Sequence, residues 1–223
     1  MLEFNLAFMR LFSDFKYLLF PTRCFGCREL GYSICSQCRK LWNPHPYLSK
    51  VSNLMVYSAI PYSPVAKNIL LAAKEQNIKS ADQLVLIALR ASLSELFQKH
   101  SSCALVPIPS GRSSNRRRGR DFINEIATTV AKDFGVAVLP LLEHHRNIRD
   151  QSKLNISGRR ENLAMALSIK PQFHGNYSGE NVVLLDDLVT TGATINEANR
   201  ALTRGGFKVQ AAATACVALR RRE

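Results

Sequence analysis

The sequence predicts an α/β fold: a mainly parallel sheet flanked by helices, with a small cysteine-bearing module near the N-terminus. Three observations carry that expectation. Short apolar runs alternate with longer helical patterns along most of the chain, as successive βαβ units do. Val182-Val183-Leu184-Leu185 reads as a buried strand and ends in Asp186-Asp187, where open α/β sheets place their ligands. Thr190-Thr191-Gly192-Ala193-Thr194 is then a small, hydroxyl-bearing turn that opens a helix over Ile195 to Leu202. Its backbone N–H groups would be free to face an anion such as a phosphate.

Taken in order, residues 1–22 read as an N-terminal amphipathic helix. Glu3, Arg10, Asp14 and Lys16 interrupt the apolar run, and no small-residue cleavage site follows, which argues against a signal peptide or a spanning helix. The cytoplasm is the expected location. Residues 23–46 hold Cys24-Phe25-Gly26-Cys27 and Cys35-Ser36-Gln37-Cys38. Two Cys-x-x-Cys knuckles in a reducing compartment suit one structural Zn²⁺ with four thiolate ligands better than free thiols or a redox pair. Few apolar residues lie there, so the metal would supply folding free energy. Pro44 and Pro46 read as a linker into the main domain, residues 47–223.

In that domain Leu54 to Tyr57 is a short strand, and Ser63 to Lys74 and Ala81 to Phe97 are helices. Ala104 to Ile108 is a strand closed by proline. A helix is expected from about Arg118 to Phe134, a strand over Val136 to Leu139, and another near Met165 to Ile169. Val209 to Val217 completes the sheet.

The chain has 223 residues, 46% hydrophobic and 21% charged, which suits a globular domain with a small appendage. Thirty basic residues against seventeen acidic give a net charge of +13. The excess lies mainly before residue 161; residues 161–223 carry 7 basic and 6 acidic residues. A basic surface suits anionic small molecules, nucleic acid or anionic lipid, or is simply a solvated face.

Further segments carry possible chemistry. Paired aspartates suit ribose hydroxyls or a hard cation such as Mg²⁺. Ser110, Gly111 and Arg112 follow a strand end and could offer N–H groups and charge to an anion, although by themselves they read equally as an ordinary turn. Arg116, Arg117, Arg118 and Arg120 form the densest basic cluster, suited to pyrophosphate or to a nucleic-acid backbone. No aromatic residues interleave it, so it offers no stacking platform for bases. The polar segment around Arg149 and Lys153 reads as a mobile lid or as a plain surface loop.

The run from Val182 to Thr194 resembles the phosphoribosyl-diphosphate (PRPP) motif of type I phosphoribosyltransferases. The resemblance implies that Asp186 and Asp187 hold ribose hydroxyls and that Thr190, Thr191, Gly192, Ala193 and Thr194 wrap the 5′-phosphate. It also implies that Ser110, Gly111 and Arg112 face pyrophosphate, and that Arg149 and Lys153 close over the leaving group, with Mg²⁺ on the diphosphate. The Cys₄ knuckle, Val106-Pro107-Ile108-Pro109, Arg117-Arg118-Gly119, Arg149-Asp150-Gln151-Ser152-Lys153-Leu154, Arg159-Arg160-Glu161-Asn162-Leu163 and the PRPP motif occur in that order. Together, from about Cys24 to Val217, they resemble the ComF family of competence-associated, GntX-type, phosphoribosyltransferase-like proteins. Many members read Arg-Gly-Phe-Asn-Gln where this chain has Arg118-Gly119-Arg120-Asp121-Phe122-Ile123-Asn124. The family implies a cytoplasmic protein whose ligand is PRPP or a related sugar phosphate, with homo-oligomers possible. Two activities follow: a Mg²⁺-dependent phosphoribosyltransferase of unspecified acceptor, or a non-enzymatic DNA-uptake protein. The second would bind single-stranded DNA or other competence proteins through basic and zinc surfaces. Purine-salvage relatives carry an acid in the phosphate loop where this chain has Thr190.

Overall fold

A computed structural model of the chain describes residues 22–100, 103–144, 166–175 and 179–219, apart from the side chains of 112–114. The elements are α1 (Ser36–Leu41), β1 (Tyr47–Val51), β2 (Leu54–Pro61), α2 (Pro64–Lys74), α3 (Lys79–Phe97), β3 (Ala104–Pro107), α4 (Arg112–Arg118) and α5 (Phe122–Phe134). They continue with β4 (Leu142–His144), β5 (Leu167–Ile169), β6 (Asn181–Val189), α6 (Ala193–Arg204) and β7 (Lys208–Val217). The expected amphipathic helix lies outside the described residues.

Five strands form one sheet in the order β1-β2-β7-β6-β3; β4 and β5 form a separate antiparallel pair. Only the β1–β2 pairing in the larger sheet is antiparallel. The fold is thus α/β with a mainly parallel sheet, as the strand–helix alternation predicts. Val183 and Leu185 pack toward α2, α3 and α5, whereas Val182 and Leu184 pack toward α6 and the β4–β5 pair. All four are fully buried. That explains why β6 reads as an unbroken apolar run instead of an alternating one.

The helices begin and end where local chemistry dictates. Ser63 caps α2, its Oγ accepting from the Ala66 N–H at 3.1 Å, and Pro64 fills the first helical position. The helix expected from about Arg118 begins at Phe122, and a separate short helix, α4, precedes it. Gly119 adopts φ 68°, ending α4 with a left-handed residue, and α5 starts afresh at Phe122.

The strand expected over Val136 to Leu139 is reduced to one parallel bridge between Leu105 and Val138. The segment runs along the outer edge of β3 but leaves after two backbone hydrogen bonds, Leu105 to Ala137 and Leu139 to Leu105. Strand β1 follows the linker expected at Pro44 and Pro46 and is a strand that the sequence pattern does not mark. Its exposed and half-buried residues alternate and lack the apolar signature of the inner strands.

The chain's connections create a switch point in the sheet. From β6 the chain passes through α6 on one face to β7, on one side of β6. From β3 it passes through α5 on the other face to Val138, on the opposite side. A crevice therefore opens between β3 and β6 at their carboxyl ends, the place where such sheets bind ligands.

Candidate functional site

The acid pair stands at that crevice. Pro107 pairs with Leu185, so β3 leaves the sheet one residue before the acids, and only β7 continues beside them. The turn through Ser110 and Gly111 leaves the same edge, with both residues half-buried. The sheet thus brings the acids and the Ser110–Gly111 turn to one edge. Arg112 begins α4, and its side chain lies outside the described residues, as do Arg149 and Lys153.

The two acids differ in surroundings. Period-two alternation sends their side chains to opposite faces of β6. Asp187 is buried and meets Lys74, at the end of α2, whose Nζ donates to both carboxylate oxygens at 2.9 Å. Asp186 is half-buried, and its Oδ1 accepts from the Asp187 N–H at 2.8 Å. Burial, and then the charge of Asp187, push the Asp186 carboxyl well above the usual aspartate range. Burial acts the same way on Asp187, but the Lys74 ammonium, together with hydrogen bonds from Asp186 and Lys74, holds Asp187 below that range. The two carboxyls are therefore pushed in opposite directions.

The turn after β6 follows from two properties of Gly192. It caps α6 in a left-handed conformation, φ 79°, and has no side chain to bond the helix's first N–H groups, of which Ala193 N–H makes a long bond to Thr191 Oγ1 at 3.4 Å. A Cβ on Gly192 would also stand 2.5 Å from Val51 Cγ1 of β1. Thr190 and Thr191 are exposed beside it, and Ala193 and Thr194 are half-buried in the first helical turn. Gly192→Ala is expected to destabilise the protein by about 1–3 kcal/mol, since both the backbone and Val51 must shift. Urea unfolding measures this; unchanged stability would mean that the turn is not held by Val51.

The arginine cluster is divided. Arg118 is buried and bonded to Glu75 of α2, with Nη2 2.6 Å from Oε1. Arg117 reaches the same carboxylate at 3.1 Å but is largely exposed. Arg120 is buried over the Phe122 ring, with Nη1 3.0 Å from Asp82 Oδ2 and a short bond to Asn77. Only Arg116 and Arg117 of the four present a guanidinium to solvent. Sequence density alone could not separate the buried pair from the exposed one.

The cysteines converge. The four Sγ atoms of Cys24, Cys27, Cys35 and Cys38 all lie within 4.8 Å of one another. Cys27 Sγ and Cys35 Sγ are 3.7 Å apart, close to the edge of a tetrahedron with Zn–S bonds of about 2.3 Å. Backbone N–H groups already point at sulfur, Cys35 N to Cys24 Sγ at 3.3 Å and Cys38 N to Cys35 Sγ at 3.5 Å. Gly26 is required in this turn, because a Cβ there would meet Cys38 Sγ at 2.5 Å. The module is fastened to the sheet domain. Gly26 O accepts from Asn68 Nδ2 of α2 at 2.7 Å, and Trp42 Nε1 donates to Leu84 O of α3 at 3.2 Å. Cys24, Phe25, Ile34, Cys38 and Trp42 join the same buried cluster as α2 and α3.

A separate cleft of about 610 Å³ lies against the C-terminal half of α6, lined by residues including Glu143, Ser168, His174, Arg200 and Arg204. It is at the opposite end of α6 from Gly192. Arg200 there is engaged by Glu197, at 2.7 Å, and by Leu167 O, at 2.9 Å, so it serves to fasten β5 to α6. No described helix is long and apolar enough to cross a membrane.

Fold and site together define an α/β protein with an acid pair and a glycine turn at a sheet switch point. No protein-family model and no curated protein matches the sequence. Among solved structures the chain is similar to an adenine phosphoribosyltransferase, at TM-score 0.44 and 14% identity over 82% of this chain and 89% of that one. It is also similar to adenine phosphoribosyltransferase from Saccharomyces cerevisiae, at TM-score 0.41 and 16% identity with the same two coverages. A third similarity is to the enzyme of that name from Leishmania tarentolae, at TM-score 0.39 and 13% identity over 82% of this chain and 88% of that one.

Proposed function

We propose that the protein binds PRPP, or a closely related ribose phosphate, together with Mg²⁺ and transfers the phosphoribosyl group to an acceptor. One observation carries this reading: the acid pair of β6 and the glycine turn at Gly192 stand at the same sheet edge, with four residues of chain between Asp187 and Gly192, at the switch point. The spacing suits a ligand with hydroxyls at one end and a phosphate at the other. Asp186 and Asp187 would hold the ribose hydroxyls. The N–H groups and hydroxyls of Thr190 to Thr194 would take the 5′-phosphate. In the reaction the C1′–O bond of PRPP breaks, pyrophosphate leaves with the electron pair, and a nucleophile on the acceptor bonds to C1′. Mg²⁺ would arrive on the diphosphate oxygens and offset the leaving charge. Ser110, Gly111 and Arg112 would face that side in this reading, and Arg149 and Lys153 would supply the lid charges.

In the same reading Cys24, Cys27, Cys35 and Cys38 hold a structural Zn²⁺, whose closed four-thiolate shell leaves no position for substrate. The alternative, a DNA-uptake protein binding single-stranded DNA or other competence proteins, draws on Arg116 and Arg117, since Arg118 is engaged by the half-buried Glu75 and Arg120 by the buried Asp82.

The test is calorimetric. Wild-type protein with Mg²⁺ is expected to bind PRPP, and Asp186→Asn with Asp187→Asn to weaken that binding by about 100-fold or more, equivalent to about 2.7 kcal/mol. Equal affinity in the double variant would remove the acids from the site and the reading with them.

A further inference from the structure

The sequence assigns no role to Lys74, yet it forms an ion pair with the buried Asp187. Its Nζ stands 2.9 Å from both Asp187 oxygens across 113 residues of sequence. Its neighbour Glu75 takes Arg118 and Arg117 from α4. The end of α2 thus joins the two sides of the crevice, one residue holding β6 and the next holding the helix that follows the Ser110–Gly111 turn. We propose that Lys74 is a positioning residue of the sugar-phosphate site: by chelating Asp187 it fixes the place and plane of that carboxylate toward the ligand. This deepens the phosphoribosyl reading and rests on it.

The physical basis is geometric. A free aspartate at a strand end rotates about χ1 and χ2, and ordering it on binding lowers affinity. Two charge-assisted bonds from one ammonium fix the carboxylate plane beforehand. Side-chain exposures of 23% for Lys74 and 11% for Asp187 leave little water to compete for that contact. Because Lys74 takes one lone pair on each oxygen, the remaining lone pairs stay open to hydroxyl donors. Arginine can supply the same two bonds; methionine fills the volume without them.

The experiment measures PRPP binding, in Mg²⁺, by the full chain and by Lys74→Met, Lys74→Arg, Asp187→Asn and the Lys74→Met/Asp187→Asn double variant. Lys74→Met is expected to weaken binding at least ~10-fold, and Lys74→Arg to restore it to within ~3-fold of wild type. The double variant should bind no more weakly than Asp187→Asn alone, because Lys74 acts only through that carboxylate. It also carries no buried unpaired charge, so it reports even where Lys74→Met fails to fold. A role in stability alone would leave the affinity of folded Lys74→Met unchanged, and that result overturns the proposal. So does a double variant clearly weaker than Asp187→Asn. Absence of PRPP binding by the wild type would instead overturn the underlying reading, and this proposal with it.

Discussion

Stripping the metal from the four-cysteine site is expected to lower the melting temperature by about 10–20 °C, from a loss of about 5 kcal/mol. Four thiol groups within 4.8 Å of one another are held only in part by packing: Cys24 and Cys38 are buried, whereas Cys27 is exposed and Cys35 half-buried. Without an ion they repel when ionised and are poorly bonded when neutral. The loss would not stay local. Cys24 and Cys38 are buried in the same cluster as Ala66, Ile69 and Leu89 of α2 and α3, so a loosened knuckle opens that cluster to water. The chain's one tryptophan gives a direct readout. Trp42 is 3% exposed, follows the helix that carries Cys38, and donates to Leu84 O. Metal analysis should find about one zinc per chain, and chelation should shift Trp42 emission to the red as the thermal transition falls. A chelated, metal-free protein with an unchanged transition would show that the cysteines do not hold the module together.

The second large effect concerns the Lys74–Asp187 pair as an element of stability. Lys74→Met is expected to destabilise the protein by about 3 kcal/mol at pH 7.5, because it leaves Asp187 buried with no partner for its charge. The pH dependence follows from the direction of each shift. Asp187 is held below its ordinary value of 3.8, so its contribution is present above that pH and is lost as the pH falls through the lower folded value. Lys74, despite burial, is held above its ordinary 10.5 by Asp187 and then Asp186; its contribution is lost only as the pH rises beyond that. The pair is therefore fully effective across the neutral range. Without Lys74, burial alone acts on Asp187 and raises it. The variant then takes up a proton on folding, and its stability falls as the pH rises toward 7.5. The gap between wild type and variant in urea unfolding should accordingly widen from pH 4.5 to pH 7.5. A constant gap would mean that Asp187 keeps its charge by other means. Removing both charges, in Lys74→Met/Asp187→Asn, should recover most of the loss, since no buried ion remains.

Much of the site was legible in the sequence because its parts are contiguous. Val182 to Thr194 encodes a strand, two acids, a left-handed glycine and a helix start in one run, and each follows from local rules: apolar patterning, glycine's access to positive φ, and free N–H groups at a helix end. The cysteine spacing likewise specifies two knuckles that a single ion can join. The parts that were not legible act across the fold. Arg118 and Arg120 look alike in a basic run, and only the approach of Glu75 and Asp82 makes them buried ion-pair partners. Val136 to Leu139 has strand-like residues, yet pairing needs a neighbour along its whole length, and β3 meets it at a single bridge. Strand β1 lacks an apolar run because it is an edge strand, exposed along one side.

The sequence by itself determined the α/β class, the order of strand, acid pair and glycine turn, and the four-cysteine cluster, because each depends on residues near one another in the chain. The tertiary structure decided that β6 runs past the acids to Val189, beside β7, and which acid is paired with a cation, since that depends on Lys74 arriving from α2 across 113 residues to a buried carboxylate. Electrostatic energy depends on distance through space and on exclusion of water, and neither is written in the order of residues.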